Sequence, residues 1–359
     1  MIIESIKLES FRNYKSLKLK FDSGTNIFYG DNAQGKTNIL EAIYLCGTTK
    51  SHKGSKDTDI IKFNEEEAHI RMKIKKNESS VKVDMHLKKN KTKGIAINGV
   101  PIKKASELFG VANFVFFSPE DLNIIKNGPG ERRRFMDLEL CQLSRIYLYN
   151  LSNYNRIINQ RNKLLRDINF HPEYLDTLQI WDDQLVKYGK NIIKERLVFV
   201  KRLNSMIHGI HKKLSGDKEE LLVRYDCSVN AENYGEILKK NREKDIRFKM
   251  TSQGPHRDDL IFQVGGIDIR KFGSQGQQRT AALSLKLSEI ELVKQEIKDT
   301  PVLLLDDVLS ELDNKRQHYL LNSIHDIQTL ITCTGIDDFV DNKFKLNRVF
   351  HVIDGEVYE

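Results

Sequence analysis

Gly30-Asp31-Asn32-Ala33-Gln34-Gly35-Lys36-Thr37 follows the short apolar run Asn26 to Tyr29 and leads into Asn38 to Leu45. A G-x-x-x-x-G-K-[ST] pattern between a strand and a helix is the pattern of a phosphate-binding loop. The backbone N–H groups of such a loop can wrap a β-phosphate, and the helix N-terminus brings a positive dipole end to the same point. Lys36 is expected to bridge the β- and γ-phosphates of ATP, and the Thr37 hydroxyl to hold Mg²⁺. The plain alternative is a glycine turn that happens to carry a lysine, and the flanking strand and helix argue against it.

A phosphate loop of this type needs acids at the end of a second strand. Val302-Leu303-Leu304-Leu305-Asp306-Asp307 supplies them, at the carboxyl end where α/β sheets bind ligands. Asp306 suits Mg²⁺ coordination and Asp307 suits orienting or deprotonating the attacking water. By itself, a pair of acids ending a strand reads as a solvated turn or helix cap; downstream of a phosphate loop it reads as a Walker B motif.

Between these two motifs lies Ser274-Gln275-Gly276-Gln277-Gln278, at the start of a long helical stretch running from Gly276 to Ile297. Serine and glycine at a helix N-terminus make an anion-binding surface from hydroxyl and backbone N–H groups. The chain's own loop already serves one side of a nucleotide. A second anion site therefore makes sense if it meets the γ-phosphate bound by a neighbouring subunit. A simple N-cap by Ser274 is the alternative, but it leaves Ser310-Glu311-Leu312-Asp313, just past the acidic strand, without a purpose. Ser310 and Asp313 are expected in a dimer-facing loop.

The rest of the chain frames these motifs. Leu17, Leu19 and Phe21 alternate with lysines, Ile70, Met72 and Ile74 alternate with Arg71, Lys73 and Lys75, and Val81, Val83, Met85 and Leu87 repeat the pattern, the period of strands with one buried face. Asn98-Gly99 marks a hairpin, and Phe114 to Phe117 a buried strand. Glu131 to Leu214 is helical, broken near Pro172, with no sustained heptad. Residues 215–250 are weakly patterned. Ile261 to Ile269 reads as a hairpin, Gln328 to Thr332 as a core strand, and Asp354-Gly355 as a terminal turn.

Composition bounds the class. Of 359 residues, 39% are apolar and 30% charged, which fits a soluble globular protein. The net charge of +8, from 58 basic and 50 acidic residues, is compatible with a polyanionic partner and equally with a mixed solvated surface. Cys46, Cys141, Cys227 and Cys333 show no metal-ligand spacing and read as reduced structural thiols. No apolar run approaches the roughly 20 residues of a membrane span, and Met1 to Phe11 lacks a signal-peptide core. The expected setting is the cytoplasm.

In their order along the chain, the phosphate loop, the SQGQQ signature, the acidic strand and the Ser-Glu-Leu-Asp loop resemble the ATPase heads of the ABC/SMC/Rad50 superfamily. The finer resemblance is to the bacterial RecF family. It is carried by Phe11-Arg12-Asn13-Tyr14, Phe117-Ser118-Pro119-Glu120-Asp121-Leu122, Glu131-Arg132-Arg133-Arg134-Phe135, Gly254-Pro255-His256-Arg257-Asp258-Asp259 and the segment Phe272 to Thr280, and it covers essentially the whole chain.

The resemblance implies an α/β P-loop fold, an ABC-ATPase head with a compact inserted helical arm. Residues 1–120 and 298–359 would form one lobe, and 121–297 the other, with the arm at about 121–250. It implies ATP and Mg²⁺ as ligands and a homodimer with two nucleotides sandwiched between loop and signature. Weak ATP hydrolysis, binding to duplex and gapped DNA, and cooperation with RecR and RecO in loading RecA are implied too. Arg12 and Asn13 would lie near the nucleotide, Ser118 to Asp121 would replace a Q-loop, and Thr334 would take the γ-phosphate-sensing place of a switch histidine.

The DNA-contacting residues are not assigned by sequence. Basic stretches at Lys88 to Lys93, Arg132 to Arg134 and Lys239 to Arg247 lack interleaved aromatics for stacking single strands, and no sequence-reading motif occurs. Each stretch alone reads as a solvated face, but two such surfaces joined in a dimer would make a groove for phosphates. The alternatives of other classes are a transporter ATPase subunit, whose signature reads Leu-Ser-Gly-Gly-Gln, and a P-loop kinase of small metabolites. Membrane copurification would favour the first and ATP turnover stimulated by a metabolite the second.

Overall fold

The phosphate loop leaves the carboxyl end of Thr25–Tyr29, an inner strand of a six-stranded sheet. The computed structural model describes residues 1–76, 79–168, 170–324, 326–335 and 345–359. Two compact units emerge: Met1–Asp121 with Lys286–Glu359, and Leu122–Leu285.

In the first unit the sheet runs in the order Glu356–Tyr358, Arg348–Ile353, Thr25–Tyr29, Thr329–Cys333, Val302–Asp306 and Phe114–Phe117. All neighbours are parallel except the C-terminal hairpin. Phe114–Phe117 and Val302–Asp306 are buried at every residue, which explains their unbroken apolar runs. The register sets Asp306 opposite Thr332, and Thr332 opposite Phe28, so the acidic strand and the loop strand end nearly level. Helix Lys36–Thr48 follows the loop and is almost wholly buried.

A second, antiparallel sheet in the same unit has the order Tyr14–Lys20, Ile2–Phe11, Glu67–Lys76, Ser79–Lys88, Lys91–Ile97, Val100–Pro101. Ile6, Leu8, Leu17, Leu19, Ile70, Met72, Val83 and Met85 are buried on one side. The alternate residues, among them Lys7, Lys18, Lys20, Arg71, Lys73 and Lys82, are solvent-facing. This is the one-sided pattern that the alternation predicts.

The second unit is built on helices Pro129–Leu143, Arg145–Asp167 and Leu178–Ser215. The last has 38 residues, about 57 Å at 1.5 Å per residue. It stops at Gly216, whose left-handed backbone turns its N–H back to the carbonyls of Lys212 and Lys213. The stretch 215–250 resolves into strand Leu221–Asp226 and helices Tyr234–Lys240 and Arg242–Phe248. The strand buries only Leu221 and Val223 fully, too few side chains to leave a clear period. The second boundary between the units falls inside helix Gln275–Ile297 rather than after it. That helix is buried without interruption from Thr280 to Ile290, so it shows no polar side to mark where one unit ends.

Candidate active site

The loop Gly30 to Thr37 is shaped by close backbone approaches. Gly30 has φ 145°, and a Cβ there would lie 2.4 Å from the Val352 carbonyl oxygen. Gly35 has φ 112°, and a Cβ would lie 2.4 Å from the Asn13 side-chain nitrogen. Both close approaches need glycine. Asn13 Nδ2 donates to the Gln34 carbonyl at 2.9 Å, Asn38 Nδ2 donates to Asn13 Oδ1 at 2.9 Å, and Tyr14 Oη donates to the Gly35 carbonyl at 3.0 Å. The Asp354 N–H donates to Gln34 Oε1 at 2.5 Å. Asp31, Asn32 and Ala33 form the exposed crest. Lys36 is buried, and its Nζ donates to the Gly30 and Asp31 carbonyls at 2.6 and 2.9 Å, folded across the loop.

Arg12 is placed differently from its neighbour. Its Nε and Nη2 grip Glu41 at 2.8 and 2.7 Å, while Nη1 reaches the Asp59 carbonyl at 2.9 Å and Nη2 the Ser55 hydroxyl at 2.7 Å. Burial opposes ionisation of Glu41, but the hydrogen bonds from Arg12 and Ser51 outweigh it and hold the carboxyl below its usual range. Asn13 thus touches the phosphate loop directly, whereas the Arg12 guanidinium is taken up by the helix behind it.

The acids meet the loop. Thr37 Oγ1 donates to Asp306 Oδ1 at 2.6 Å. Thr332 Oγ1 donates to the same oxygen at 2.8 Å and accepts the Asp307 N–H at 3.0 Å. Asp307 has φ 51°, a left-handed backbone costing a non-glycine residue about 1 kcal/mol. It is held there by its N–H on Thr332 and by Ser310 Oγ, which donates to its carbonyl at 2.8 Å. Burial and the adjacent Asp306 raise the Asp307 carboxyl above its ordinary range, against the pull of Lys36. Beside Asp307 opens a cavity of about 160 Å³, lined also by Ser310, Thr332, Cys333 and Thr334. Asp313 caps helix Asn314–Ser323, accepting the Arg316 N–H at 3.0 Å.

Thr37 Oγ1 and Asp306 Oδ1 are the donor pair that fits Mg²⁺. Among the described residues no group of three or more His, Cys, Asp or Glu gathers that could hold a metal by itself. A nucleotide-bound Mg²⁺ needs only one or two protein ligands besides phosphate oxygens and water.

The signature lies in the other unit. Ser274 Oγ accepts the Gln277 N–H at 3.2 Å, and Gln277 Oε1 accepts the Ser274 N–H at 2.9 Å, a reciprocal capping box. Gln277 Nε2 donates to Glu219 at 2.8 Å, and the buried Gln278 donates to the Ile269 carbonyl at 2.8 Å. Ser274, Gln275 and Gly276 remain exposed. The simple cap is therefore formed, and the N–H groups of Gln275 and Gly276 belong to the first turn, which has no partner inside the helix.

The RecF/RecN/SMC N-terminal domain family matches residues 2–356. A protein of Agathobacter rectalis named DNA replication and repair protein RecF is 62% identical over 357 residues, covering 99% of each chain. The chain belongs to the RecF family. A solved structure described as the recombination mediator protein RecF-ATP in the RecFOR pathway superposes with a TM-score of 0.93 at 37% identity, over 99% of this chain and 96% of that one. An SMC head bound to a winged-helix domain of ScpA shares the fold, with a TM-score of 0.57 at 17% identity, over 99% of this chain and 96% of the other. The fold is that of an ABC/SMC-type ATPase head.

Two RecF-family segments turn out to be structural. In Glu131-Arg132-Arg133-Arg134-Phe135, Arg132 is buried and forks onto Asp259 at 2.6 and 3.0 Å, and Arg133 donates to the Asp258 carbonyl at 2.7 Å. In Gly254-Pro255-His256-Arg257-Asp258-Asp259, Asp258 accepts from Tyr225 and Arg196. His256 Nε2 donates to the Thr251 carbonyl at 3.0 Å, which leaves Nδ1 to accept from Tyr154 Oη at 2.8 Å. Burial lowers the His256 pKa to about 4 and keeps it neutral.

Of the basic runs that read as solvated faces, several members are engaged within the chain, while Lys91, Arg134, Lys239, Lys240, Lys244 and Arg247 are exposed. Arg132 is interior, Lys93 reaches the Thr49 carbonyl and Asp57, and Arg242 reaches Asp182. Sequence also missed Thr332, since a buried strand threonine carries no signal of its own. Nor did it show that the C-terminal turn at Asp354 braces Gln34.

Proposed function

We propose that the chain is an ATP-gated DNA clamp of bacterial DNA repair: a weak ATPase that dimerises on ATP and acts with RecR and RecO in loading RecA. The observation that carries this is the 2.6 Å bridge from Thr37 to Asp306, which joins loop and acidic strand into one nucleotide site. The loop N–H groups and Lys36 bind the phosphates. Thr37 and Asp306 would hold a Mg²⁺, which would supply neutralisation of the charge that develops on the phosphates. Asp307 orients a water and accepts its proton as the water attacks, releasing ADP and phosphate. The exposed first turn at Ser274 to Gly276 serves a partner subunit's γ-phosphate, so hydrolysis removes the ligand that joins the two chains.

DNA fits the outward face of the antiparallel sheet. The register lines up Lys20, Ser5, Lys73 and Lys82 in one row and Lys18, Lys7 and Arg71 in the next. Lys7, Arg71 and Lys82 have acidic neighbours, while Lys18, Lys20, Lys73 and Lys75 form no ion pair among the described residues. A dimer neutralising about six phosphates gives a log–log salt slope near −5. Reversing Lys18, Lys20, Lys73 and Lys75 to Glu should flatten that slope and weaken duplex binding with ATP turnover intact. A wild-type slope near zero, or an unchanged slope in the variant, contradicts this assignment.

A further inference from the structure

Asp306 ends its strand and Asp307 turns out of it, yet one hydroxyl touches both. Thr332 is 1% exposed and sits opposite Asp306 on the adjacent parallel strand. A threonine hydroxyl has one proton to give and lone pairs to receive. Thr332 gives its proton to Asp306 Oδ1 at 2.8 Å and receives the Asp307 N–H at 3.0 Å. Asp306 Oδ1 is also the oxygen that Thr37 reaches at 2.6 Å. Asp307 is the residue with φ 51°, turned out of the strand at this contact. The Thr332 hydroxyl therefore stands where the strand conformation stops and the left-handed turn begins, tying the metal-side acid to the backbone of the water-side acid.

From this geometry we infer that Thr332 is a positioning residue for ATP hydrolysis: its hydroxyl aims Asp306 and sets the backbone turn that presents Asp307 to the attacking water. This rests on the ATPase reading above. The Thr332 hydroxyl spends its hydrogen bonds on Asp306 Oδ1 and the Asp307 N–H, so it governs turnover rather than nucleotide affinity. Removing the hydroxyl should leave no buried group stranded. The Asp307 N–H keeps the Thr332 carbonyl at 3.2 Å, and Asp306 Oδ1 keeps Thr37. Valine has threonine's shape without the hydroxyl, and serine keeps the hydroxyl without the methyl.

The experiment compares wild type, Thr332→Val and Thr332→Ser in the full chain. It measures steady-state kcat and KM for Mg-ATP, direct binding of a fluorescent ATP analogue, and thermal melting. An active-site group displaced by about 1 Å loses on the order of 100-fold in rate. Thr332→Val is expected to lose about 10- to 100-fold in kcat, with KM and analogue affinity within about threefold of wild type. Thr332→Ser is expected to recover most of the lost rate. The inference is overturned if the valine variant turns over like wild type or if valine and serine lose rate equally. It is overturned too if analogue binding falls in parallel with kcat, or if the valine variant loses its cooperative melting transition, since the hydroxyl would then serve folding. A wild type with no ATP hydrolysis sinks the ATPase reading itself, an outcome distinct from these.

Discussion

At the scale of single residues, Asp307 is where structure and chemistry pull against each other. Burial and Asp306 raise its pKa, and Lys36 only partly offsets them. An acid whose folded pKa is raised binds its proton more tightly folded than unfolded, so its ionised form costs stability. That cost is absent below the unfolded value of about 3.9 and complete above the folded one. Asp307→Asn should therefore melt above wild type at neutral pH, with the gain shrinking to nothing as pH falls toward about 4. The same change removes the proposed base and should lower kcat by about 10²- to 10⁴-fold while ATP binding persists. A variant that melts no higher at neutral pH, or that turns over normally, would show that Asp307 is neither strained by its surroundings nor the base. Glycine and lysine positions of the loop were legible in sequence because only those residue types serve there. Thr332 was not, because its meaning lies in the register of two strands far apart in the chain.

At the scale of elements, the second unit is held by buried cations rather than by an apolar core alone. Arg161 is fully buried and joins Asp182 at 2.7 Å, Asp245 at 2.7 Å and Thr251 at 2.9 Å, tying three separate segments of the arm. Removing one member of a buried ion pair strands its partners. Arg161→Met should cost about 3 kcal/mol, read as a lower urea midpoint. A midpoint within error of wild type would mean that Asp182 and Asp245 are adequately held by Arg242 and by backbone donors. Strands with one buried face and long helices were legible because their periods run over many residues. The stretch 215–250 was not, since its strand and two short helices take their places from partners distant in sequence. The arginines of the Glu131 to Phe135 segment misled for a related reason: charge along a sequence says nothing of burial, and Arg132 finds Asp259 across the fold.

At the scale of the whole molecule, the chain carries a phosphate-loop sequence in one unit and an exposed, capped signature turn in the other. A simple N-cap would explain Ser274 alone, and the capping box with Gln277 shows that this role is filled. What a cap does not require is the exposure of Gln275 and Gly276 beside it. The proposed shared-nucleotide dimer would give that surface a use, and it would make timing rather than speed of hydrolysis the output, because dimer affinity and DNA affinity would change together when the shared ligand is lost. The most direct test is the mass in solution by light scattering, with Mg-ATP and with Mg-ADP, for wild type and Ser274→Arg. The clamp account predicts a dimer for wild type with ATP alone, and a monomer for Ser274→Arg under every condition. A wild type that stays monomeric with ATP, even when DNA is present, would contradict it.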